Sequence, residues 1–128
     1  MIRVGVVGYG YWGPNLTRAV SENDMLCVEM IADMSPAAQK RAGRRHPAAR
    51  VVADWRDLVA DPAVDAVMVA TPVHTHFEIA RAALRAGKHV LVEKPMTDSP
   101  ATSALLVEEA ARAGRVLMVD HTFVYTGA

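Results

Sequence analysis

The feature that most constrains the fold is an alternation of two kinds of segment along the chain. Short apolar runs rich in valine are separated by longer stretches in which Ala, Leu and Arg form an amphipathic pattern. Strands that are buried on both faces have continuous apolar sequences, and the helices that cover them carry one apolar stripe. The pattern therefore predicts an α/β protein whose parallel sheet is covered on both faces.

Six runs have the length and composition of strands. They span residues 2–7, 26–33, 51–53, 66–70, 89–93 and 116–119. Because crossovers between parallel strands are right-handed, we predict a doubly wound, Rossmann-type sheet with strand order 3-2-1-4-5-6. Ligands bind beyond the carboxyl ends of the strands in such a sheet.

Residue types that favour helix ends lie between these runs. A serine followed by a proline predicts an N-cap and the first helical residue, and a glycine after an amphipathic stretch predicts a helix stop. Thr75, three residues before Glu78, predicts a capping box. The serine signals are Ser35-Pro36 and Ser99-Pro100, and the glycine stops are Gly87 and Gly114.

Composition narrows the function classes. The chain has 128 residues, which suits one domain, and its 14 Lys and Arg residues balance 14 Asp and Glu residues. A nucleic-acid surface needs a local excess of positive charge, so this balance predicts a small neutral or acidic ligand instead. No apolar run approaches the roughly 20 residues needed to cross a bilayer, so no membrane contact is expected.

Cysteine usage and the first residues bear on location. The single cysteine, Cys27, excludes an internal disulfide and a cysteine-based zinc site. The opening residues lack the charged and then long apolar pattern of an export signal. We therefore expect a cytoplasmic protein.

The first chemical signal is a glycine-rich loop. Gly8, Gly10 and Gly13 form GxGxxG in VVGYGYWGPNL, directly after a predicted strand and before a helix starting near Trp12. The first glycine permits a tight turn, the second lets a pyrophosphate approach the backbone, and the third allows close helix packing. The helix N-terminus adds positive potential. Taken alone, the motif is also compatible with glycines that only shape a turn.

An acidic residue at the expected distance favours a dinucleotide. Asp33 lies twenty residues after Gly13, at the end of the second predicted strand, where it can accept hydrogen bonds from ribose hydroxyls. It would also repel the 2′-phosphate of NADP, so NAD is the favoured cofactor. A basic stretch follows, which fits either a solvated helix face or an NADP phosphate site, and we favour the former. Its members are Lys40, Arg41, Arg44, Arg45 and Arg50.

Two further segments end predicted strands at the same edge. The first, AVMVATPVHTH, brings Thr71 and Pro72 to the strand end, followed by His74 and His76. Histidines two residues apart do not share a helix face, so we expect no metal pair, and for His74 we favour packing or solvent contact.

The other segment, KHVLVEKPM, places Glu93, Lys94 and Pro95 at the end of the fifth strand. Pro95 favours extended geometry at Lys94. A lysine here either closes the strand at the surface or faces the cofactor, where its ammonium can move a proton to or from a substrate oxygen.

In combination these segments resemble the nucleotide-binding domain of the Gfo/Idh/MocA oxidoreductases. The resemblance is carried by VGVVGYGYWGPNL, ATPVHTH, AGKHVLVEKPM and GRVLMVDHTFVY. It implies a dehydrogenase acting on a sugar or cyclitol hydroxyl with NAD, or alternatively NADP, and Lys94 as the catalytic residue. The cofactor-binding residues that we predict are Gly8, Gly10, Tyr11, Trp12, Gly13, Asp33, Met34, Thr71, Pro72, His76, Glu93 and Lys94.

The resemblance also implies a division of the chain. Residues 1–120 correspond to the nucleotide-binding domain, and residues 121–128, which include His121 and Tyr125, to the start of the connection to a second, substrate-binding domain. That α+β domain is absent from this sequence. Because a Rossmann domain provides only part of the walls around a substrate, we expect nucleotide binding with little or no turnover, and a sugar-type substrate only when a second domain is supplied.

One alternative stays open at the level of sequence. The chain would instead be a stand-alone module that senses NAD, or that pairs with a chain supplying the missing walls, without catalysis of its own. An exposed domain junction would also favour association between copies of the chain.

Overall fold

The computed structural model describes residues 1–120 and contains alternating strands and helices. The strands are β1 Ile2–Val7, β2 Leu26–Ala32, β3 Arg50–Val52, β4 Ala66–Val69, β5 His89–Glu93 and β6 Leu117–Asp120. The helices are α1 Gly13–Ser21, α2 Pro36–Arg45, α3 Trp55–Ala60, α4 His76–Arg85 and α5 Pro100–Ala113, with a 3₁₀ turn at Val73–Thr75 before α4. His121 and Tyr125, together with the whole predicted connection 121–128, lie outside the described residues.

The strands form one sheet in the order β3-β2-β1-β4-β5-β6, and every neighbouring pair is parallel. The predicted fold class and strand order are therefore confirmed. Individual strand ends differ from the prediction by one residue. At Asp33, for example, the N–H still donates to the carbonyl of Val52 at 3.1 Å, but β2 has ended one residue earlier.

The core lies on both faces of the sheet. On one face, α3, α4 and α5 bury Leu58, Ile79 and Leu106 against the valines of the central strands. On the other face, Val20 of α1 packs on β1, and Ala38 of α2 lies in a cluster with Ile31 of β2. This double layer is what the continuous apolar runs of the strands require.

Most of the predicted helix ends are confirmed. The Ser35 and Ser99 hydroxyls accept the backbone N–H groups of Ala38 and Thr102, and a proline opens each helix. Gly87 has φ +81°, and its N–H and that of Lys88 bond to the carbonyls of Leu84 and Ala83, as in a Schellman motif. Gly114 ends α5 with φ +63°.

The capping box predicted at Thr75 and Glu78 is wrong. The 3₁₀ turn puts Thr75 in helical backbone geometry (φ −98°, ψ −11°), whereas an N-cap residue needs extended geometry. Its hydroxyl donates back to the carbonyl of Pro72 at 2.6 Å and accepts from Thr71. The carboxylate of Glu78 instead lies 3.4 Å from the guanidinium of Arg56.

A glycine inside β1 provides a test of the packing between sheet and helix. A Cβ at Gly5 would lie 2.5 Å from Cδ2 of Leu58, a side chain that is fully buried in the core. We expect Gly5→Ala to lower the free energy of unfolding by about 1–3 kcal/mol through overpacking, as measured by urea denaturation.

Gly43 is the matched control, because it lies within α2 and a Cβ there meets nothing within 4 Å. Gly43→Ala should raise the stability by up to about 1 kcal/mol, since alanine favours a helix over glycine. Equal effects of the two substitutions would contradict this account of the packing.

Candidate functional site

The glycine loop is shaped by close contacts that leave no room for side chains. Gly8 follows β1 with φ +97°, and a Cβ there would lie 2.6 Å from the carbonyl oxygen of Ala70 at the end of β4. A Cβ at Gly13 would overlap the carbonyl oxygen of Gly8. By contrast, a Cβ at Gly10 would meet nothing within 4 Å, so a ligand can approach the backbone at this residue. The loop therefore has the geometry predicted from GxGxxG.

Helix α1 begins directly after this loop. Its N-cap residue, Trp12, makes no side-chain capping bond, and Pro14 occupies the first turn. Pro14 has no N–H, and the N–H of Asn15 donates to the carbonyl of Trp12 at 3.0 Å. The N–H of Gly13 and the positive end of the helix dipole are therefore what this end of α1 offers to an anionic group.

Asp33 is held in place by backbone donors. Its Oδ2 accepts the N–H of Tyr9 at 2.7 Å, and its Oδ1 accepts the N–H of Ser35 at 2.8 Å. The side-chain amide of Gln39 donates to its carbonyl at 2.8 Å. A carboxylate oxygen can accept more than one hydrogen bond, so Asp33 can still accept from a ligand.

Two cavities lie along the carboxyl edge of the sheet. The first has a volume of about 580 Å³, and its walls include Gly8, Gly10, Asp33, Met34, Thr71, Pro72 and His74. The second, of about 600 Å³, is bounded by Tyr11, Trp12, Ala70, Thr71, Val73, His76, Glu93 and Lys94. Four residues, Tyr11, Trp12, Ala70 and Thr71, line both cavities, so the two form one extended cleft.

Tyr11 and Trp12 stand at the junction of the two cavities. Their rings are parallel to within 10°, with centroids 6.1 Å apart, and Tyr11 is 92% exposed. An exposed aromatic side chain beside a cleft presents an apolar surface to a ligand. The sequence motif predicted the backbone role of this loop, but the stacking of the two rings is visible only in the structure.

His76 connects the ends of β4 and β5. The ring is 2% exposed, its Nδ1 lies 2.9 Å from the carbonyl oxygen of Pro95, and its Nε2 lies 2.8 Å from that of Thr71. A neutral imidazole carries one N–H, so it donates a hydrogen bond to one of these two carbonyl oxygens and only contacts the other. His76 borders the second cavity and lies between the segments that carry Thr71 and Lys94. The peptide bond between Lys94 and Pro95 is cis.

Glu93 has an unusual electrostatic environment. It is 8% exposed, and burial raises the pKa of its carboxyl to about 7, helped by a hydrogen bond with Asp120 and by the charge of that group. The indole of Trp12 and the backbone N–H of Lys94 act in the opposite direction, because they donate to the carboxylate. Among the described residues, Glu93 Oε1 meets no hydrogen-bond partner.

Some residues that build this site were not anticipated. Tyr9 donates its N–H to Asp33, and Asp120 stands beside Glu93 as its register partner in β6. The signal that identified Glu93, a polar residue at the carboxyl end of a buried strand, also applies to Asp120. Tyr9 acts through its backbone, which no pattern of residue types reveals.

The basic stretch does not form one cluster at the cleft. Arg50 pairs with Asp61 at 2.9 Å and with Glu29 at 3.5 Å. The side chain of Arg41 reaches the glycine loop, where its Nη2 lies 3.4 Å from the carbonyl oxygen of Tyr9. Arg41 is therefore the member of this stretch that approaches the predicted ribose position.

Residues 1–120 contain neither a membrane-spanning helix nor a cluster of metal-ligating side chains. No helix in this part of the chain combines the length and apolar character needed to cross a membrane. Nor do these residues include three His, Cys, Asp or Glu side chains grouped to hold a metal ion.

The fold, the glycine loop and Asp33 define a dinucleotide-binding Rossmann domain. Comparison with known protein families identifies the family to which this domain belongs. The chain belongs to the Gfo/Idh/MocA family, since residues 2–121 match the model described as an oxidoreductase family with an NAD-binding Rossmann fold. It is thus the NAD(P)-binding domain of a Gfo/Idh/MocA oxidoreductase.

Individual relatives match this chain over nearly all of its length. The chain is 34% identical over 125 residues to scyllo-inositol 2-dehydrogenase (NADP⁺) of Bacillus subtilis, covering 94% of this chain and 33% of the relative. Biliverdin reductase from Synechocystis, solved with biliverdin and NADP⁺, superposes with a TM-score of 0.94 at 31% identity, covering 98% of this chain and 40% of that one.

A 3-ketoreductase from Actinomadura kijaniata, solved with TDP-benzene and NADP, superposes with a TM-score of 0.91 at 33% identity, covering 98% of this chain and 38% of that chain. The chain therefore spans about a third of the length of the curated relatives that it matches.

The raised pKa of Glu93 predicts a pH-dependent stability. A carboxyl whose pKa is higher in the folded state contributes stability that is complete below its unfolded pKa of 4.5 and is lost as the pH rises to about 7. Glu93→Gln should therefore raise the free energy of unfolding at about pH 8, on the order of 1 kcal/mol because the cleft is open to solvent, with little effect near pH 4. Urea denaturation at both pH values measures the difference.

Glu109 is the control with the opposite sign. Its hydrogen bond with Arg85, at 2.7 Å, lowers the pKa of its carboxyl, so its contribution to stability is present at neutral pH and is lost on acidification. Glu109→Gln should destabilise the protein at about pH 8. The change in the free energy of unfolding caused by Glu93→Gln is measured against the parent chain at each pH. A change that is less favourable at about pH 8 than near pH 4 would contradict a raised pKa for Glu93.

Proposed function

We propose that this domain binds NAD(H) with the adenosine half in the first cavity and the nicotinamide half in the second, for the oxidation of a sugar or cyclitol hydroxyl. The observation that carries the proposal is the continuity of the two cavities, with Asp33 at one end, the glycine loop in the middle and Lys94 at the other end. The volumes fit the range found for cofactor sites.

At the adenosine end, Asp33 supports a preference for NAD. Both of its oxygens are fixed by backbone N–H groups, at 2.7 and 2.8 Å, so the carboxylate cannot turn away from an incoming charge. A fixed carboxylate accepts the ribose hydroxyls and repels a 2′-phosphate. Arg41 favours NADP instead, because its guanidinium, near the carbonyl of Tyr9, would attract the 2′-phosphate.

In the middle of the cleft, Gly10 and the start of α1 suit the pyrophosphate. The backbone at Gly10 is open to a close approach, and the start of α1 presents the N–H of Gly13 and the positive end of the helix dipole. These contacts come from the backbone, so they do not depend on which dinucleotide is bound.

At the far end, Lys94 is the residue proposed to carry the proton transfer. The oxidised nicotinamide, when bound, accepts a hydride from the substrate carbon. As the neutral amine, Lys94 Nζ would take the hydroxyl proton of the same substrate while the hydride leaves its carbon, which gives a carbonyl and an ammonium. In the reverse reaction the ammonium would return the proton. The buried ring of His76 packs against the carbonyl of Pro95, with Nδ1 at 2.9 Å, and so supports the backbone that carries Lys94.

The substrate class rests on the relatives. One acts on scyllo-inositol by its name and another is a 3-ketoreductase, and both use NADP in their descriptions. A ring hydroxyl or ketone of a sugar or cyclitol is the substrate class that fits both. Since the chain spans about a third of such proteins, we propose that it shows little or no turnover without a substrate domain.

A second candidate function is a binding module that a separate chain completes. One observation favours it: Val116, just before the edge strand β6, and Met118, within it, are 62% and 48% exposed, so a covering surface would gain apolar contact there. A second copy of the chain could also cover this apolar surface. This module would bind the cofactor but would show no turnover that depends on Lys94.

The first prediction of the proposal concerns Asp33. The 128-residue chain should bind NADH saturably, and Asp33→Ala should weaken binding about tenfold or more, because hydrogen bonds to a charged group are lost. Asp33→Asn should raise the affinity for NADPH relative to NADH about tenfold, because the repulsive charge is removed. Isothermal titration calorimetry with both reduced cofactors measures these changes.

Asp57→Asn is the matched control, because Asp57 is exposed on α3 and lines neither cavity. It changes the net charge equally and should leave both affinities unchanged. Absence of NADH binding at millimolar concentration would rule out the proposed function.

A second prediction concerns Lys94 in a protein where this domain is joined to its substrate domain. Lys94→Ala should lower kcat about a hundredfold or more, because general acid–base catalysis is lost, while the Kd for NADH changes less than about threefold. Lys40→Ala, on the exposed face of α2, should leave kcat unchanged. An unchanged kcat in the Lys94 variant would contradict its catalytic role.

A further inference from the structure

Glu93 and Asp120 place two carboxyl groups side by side at the edge of the sheet. They end β5 and β6 and are register partners in the parallel ladder, so their side chains point to the same face. Glu93 is more than nine-tenths buried and borders the second cavity, and its Oε1 meets no hydrogen-bond partner among residues 1–120. A buried carboxyl oxygen without a partner beside a second carboxyl is costly when both groups are ionised.

Within residues 1–120, the side chains around Glu93 come from several elements. Lys94 follows Glu93 directly after the end of β5 and lines the same cavity. From the other elements, Trp12 faces Glu93 with its indole, and Tyr11 and His76 border the cavity. The ring nitrogens of His76 lie 2.9 and 2.8 Å from backbone carbonyl oxygens rather than beside Glu93. Glu93 thus contributes a buried carboxyl to the second cavity, and Asp120 lies beside it as its register partner.

The pair changes its charge close to neutral pH. Burial and the neighbouring Asp120 together raise the pKa of Glu93 to about 7. Below that pH the carboxyl of Glu93 keeps its proton and is neutral. Above it Glu93 is ionised, and the pair gains one negative charge. This is the behaviour expected of two acids that are too close to ionise together at low cost.

Cofactor oxidation also changes charge in the same region. The oxidised nicotinamide ring carries a positive charge, whereas the reduced ring is neutral. A ring in the second cavity therefore meets the doubly ionised pair favourably only in its oxidised form. This step depends on the proposed function, because that function places the nicotinamide half in the second cavity.

We propose that the Glu93–Asp120 pair distinguishes the oxidised from the reduced cofactor by holding a proton beside the reduced ring and releasing it when the oxidised ring binds. In the binding step, NAD⁺ and the protonated domain form the complex and release up to one proton to the solution. No other bond is formed or broken. As the pH rises through neutrality, the affinity for NAD⁺ therefore increases relative to that for NADH.

The test uses the 128-residue chain with NAD⁺ and NADH as separate probes. Calorimetric titrations at about pH 6 and about pH 8.5 give the ratio of the two dissociation constants. We expect the dissociation constant of NAD⁺ to fall relative to that of NADH, on the order of tenfold, when the pH is raised from about 6 to about 8.5. This is the effect of one added charge at close range in a solvated cleft. Titrations of NAD⁺ near pH 7, in buffers of different ionisation enthalpy, should show proton release.

Two variants remove the titrating pair in different ways. Glu93→Gln should make the ratio nearly independent of pH. Asp120→Asn should weaken the pH dependence without abolishing it, because Glu93 remains buried. Two variants protect the test against a folding defect in either one. Glu108→Gln is the control, because Glu108 is exposed on α5 and 3.9 Å from Arg112, and it should keep the pH dependence of the parent chain.

A measurement without cofactor tests the protonation of Glu93 independently of cofactor binding. The sequence contains two tryptophans, so Trp55→Phe leaves Trp12 as the reporter beside Glu93. Its fluorescence should titrate near pH 7, and adding Glu93→Gln should abolish that transition. A transition that persists in the double variant would overturn the assignment of the proton to the pair.

The outcomes separate this inference from the proposed function. Binding of both cofactors with a pH-independent ratio in the parent chain would overturn the inference and leave the proposed function intact. Absence of binding of either cofactor would overturn both.

Discussion

The close approach of the glycine loop to the end of β4 is the constraint on which the rest of the site depends. At Gly8 the chain leaves β1 with a positive φ, and no side chain fits between it and the carbonyl of Ala70. Because Gly8 turns there, Gly10 is open to the cleft and α1 begins at Gly13. A larger residue at Gly8 would push the loop toward the space that a pyrophosphate needs.

Asp33 and Glu93 lie in different environments at the same edge of the sheet. Asp33 accepts two backbone N–H groups, which fix the orientation of its carboxylate at one end of the cleft. Glu93 is buried beside a second acid, and its Oε1 meets no hydrogen-bond partner within residues 1–120, so the pKa of Glu93 is raised to about 7. Two acids at the carboxyl ends of strands in one sheet are thus suited to different tasks.

Much of the fold could be predicted from the sequence, because the apolar runs must be buried and right-handed crossovers leave few strand orders. The serine N-caps and glycine stops could also be predicted, since each depends on a local hydrogen bond or on one backbone angle. The capping box at Thr75 failed because a 3₁₀ turn precedes α4, and nothing local excludes such a turn. Lys88 was likewise not anticipated: its Nζ is held by the carbonyls of Asp61 and Val64, which are distant in sequence.

For the site, the sequence by itself determined which residues reach the carboxyl edge: the glycine loop, Asp33, Thr71 and the segment from Glu93 to Pro95. Strand direction and period are local properties, so these positions follow once the strands are recognised. Only the tertiary structure decided that Tyr9 fixes Asp33, that His76 joins the ends of β4 and β5, and that Asp120 lies beside Glu93. Those relationships join residues far apart in the chain, and they depend on register and burial, which exist only after the sheet has formed.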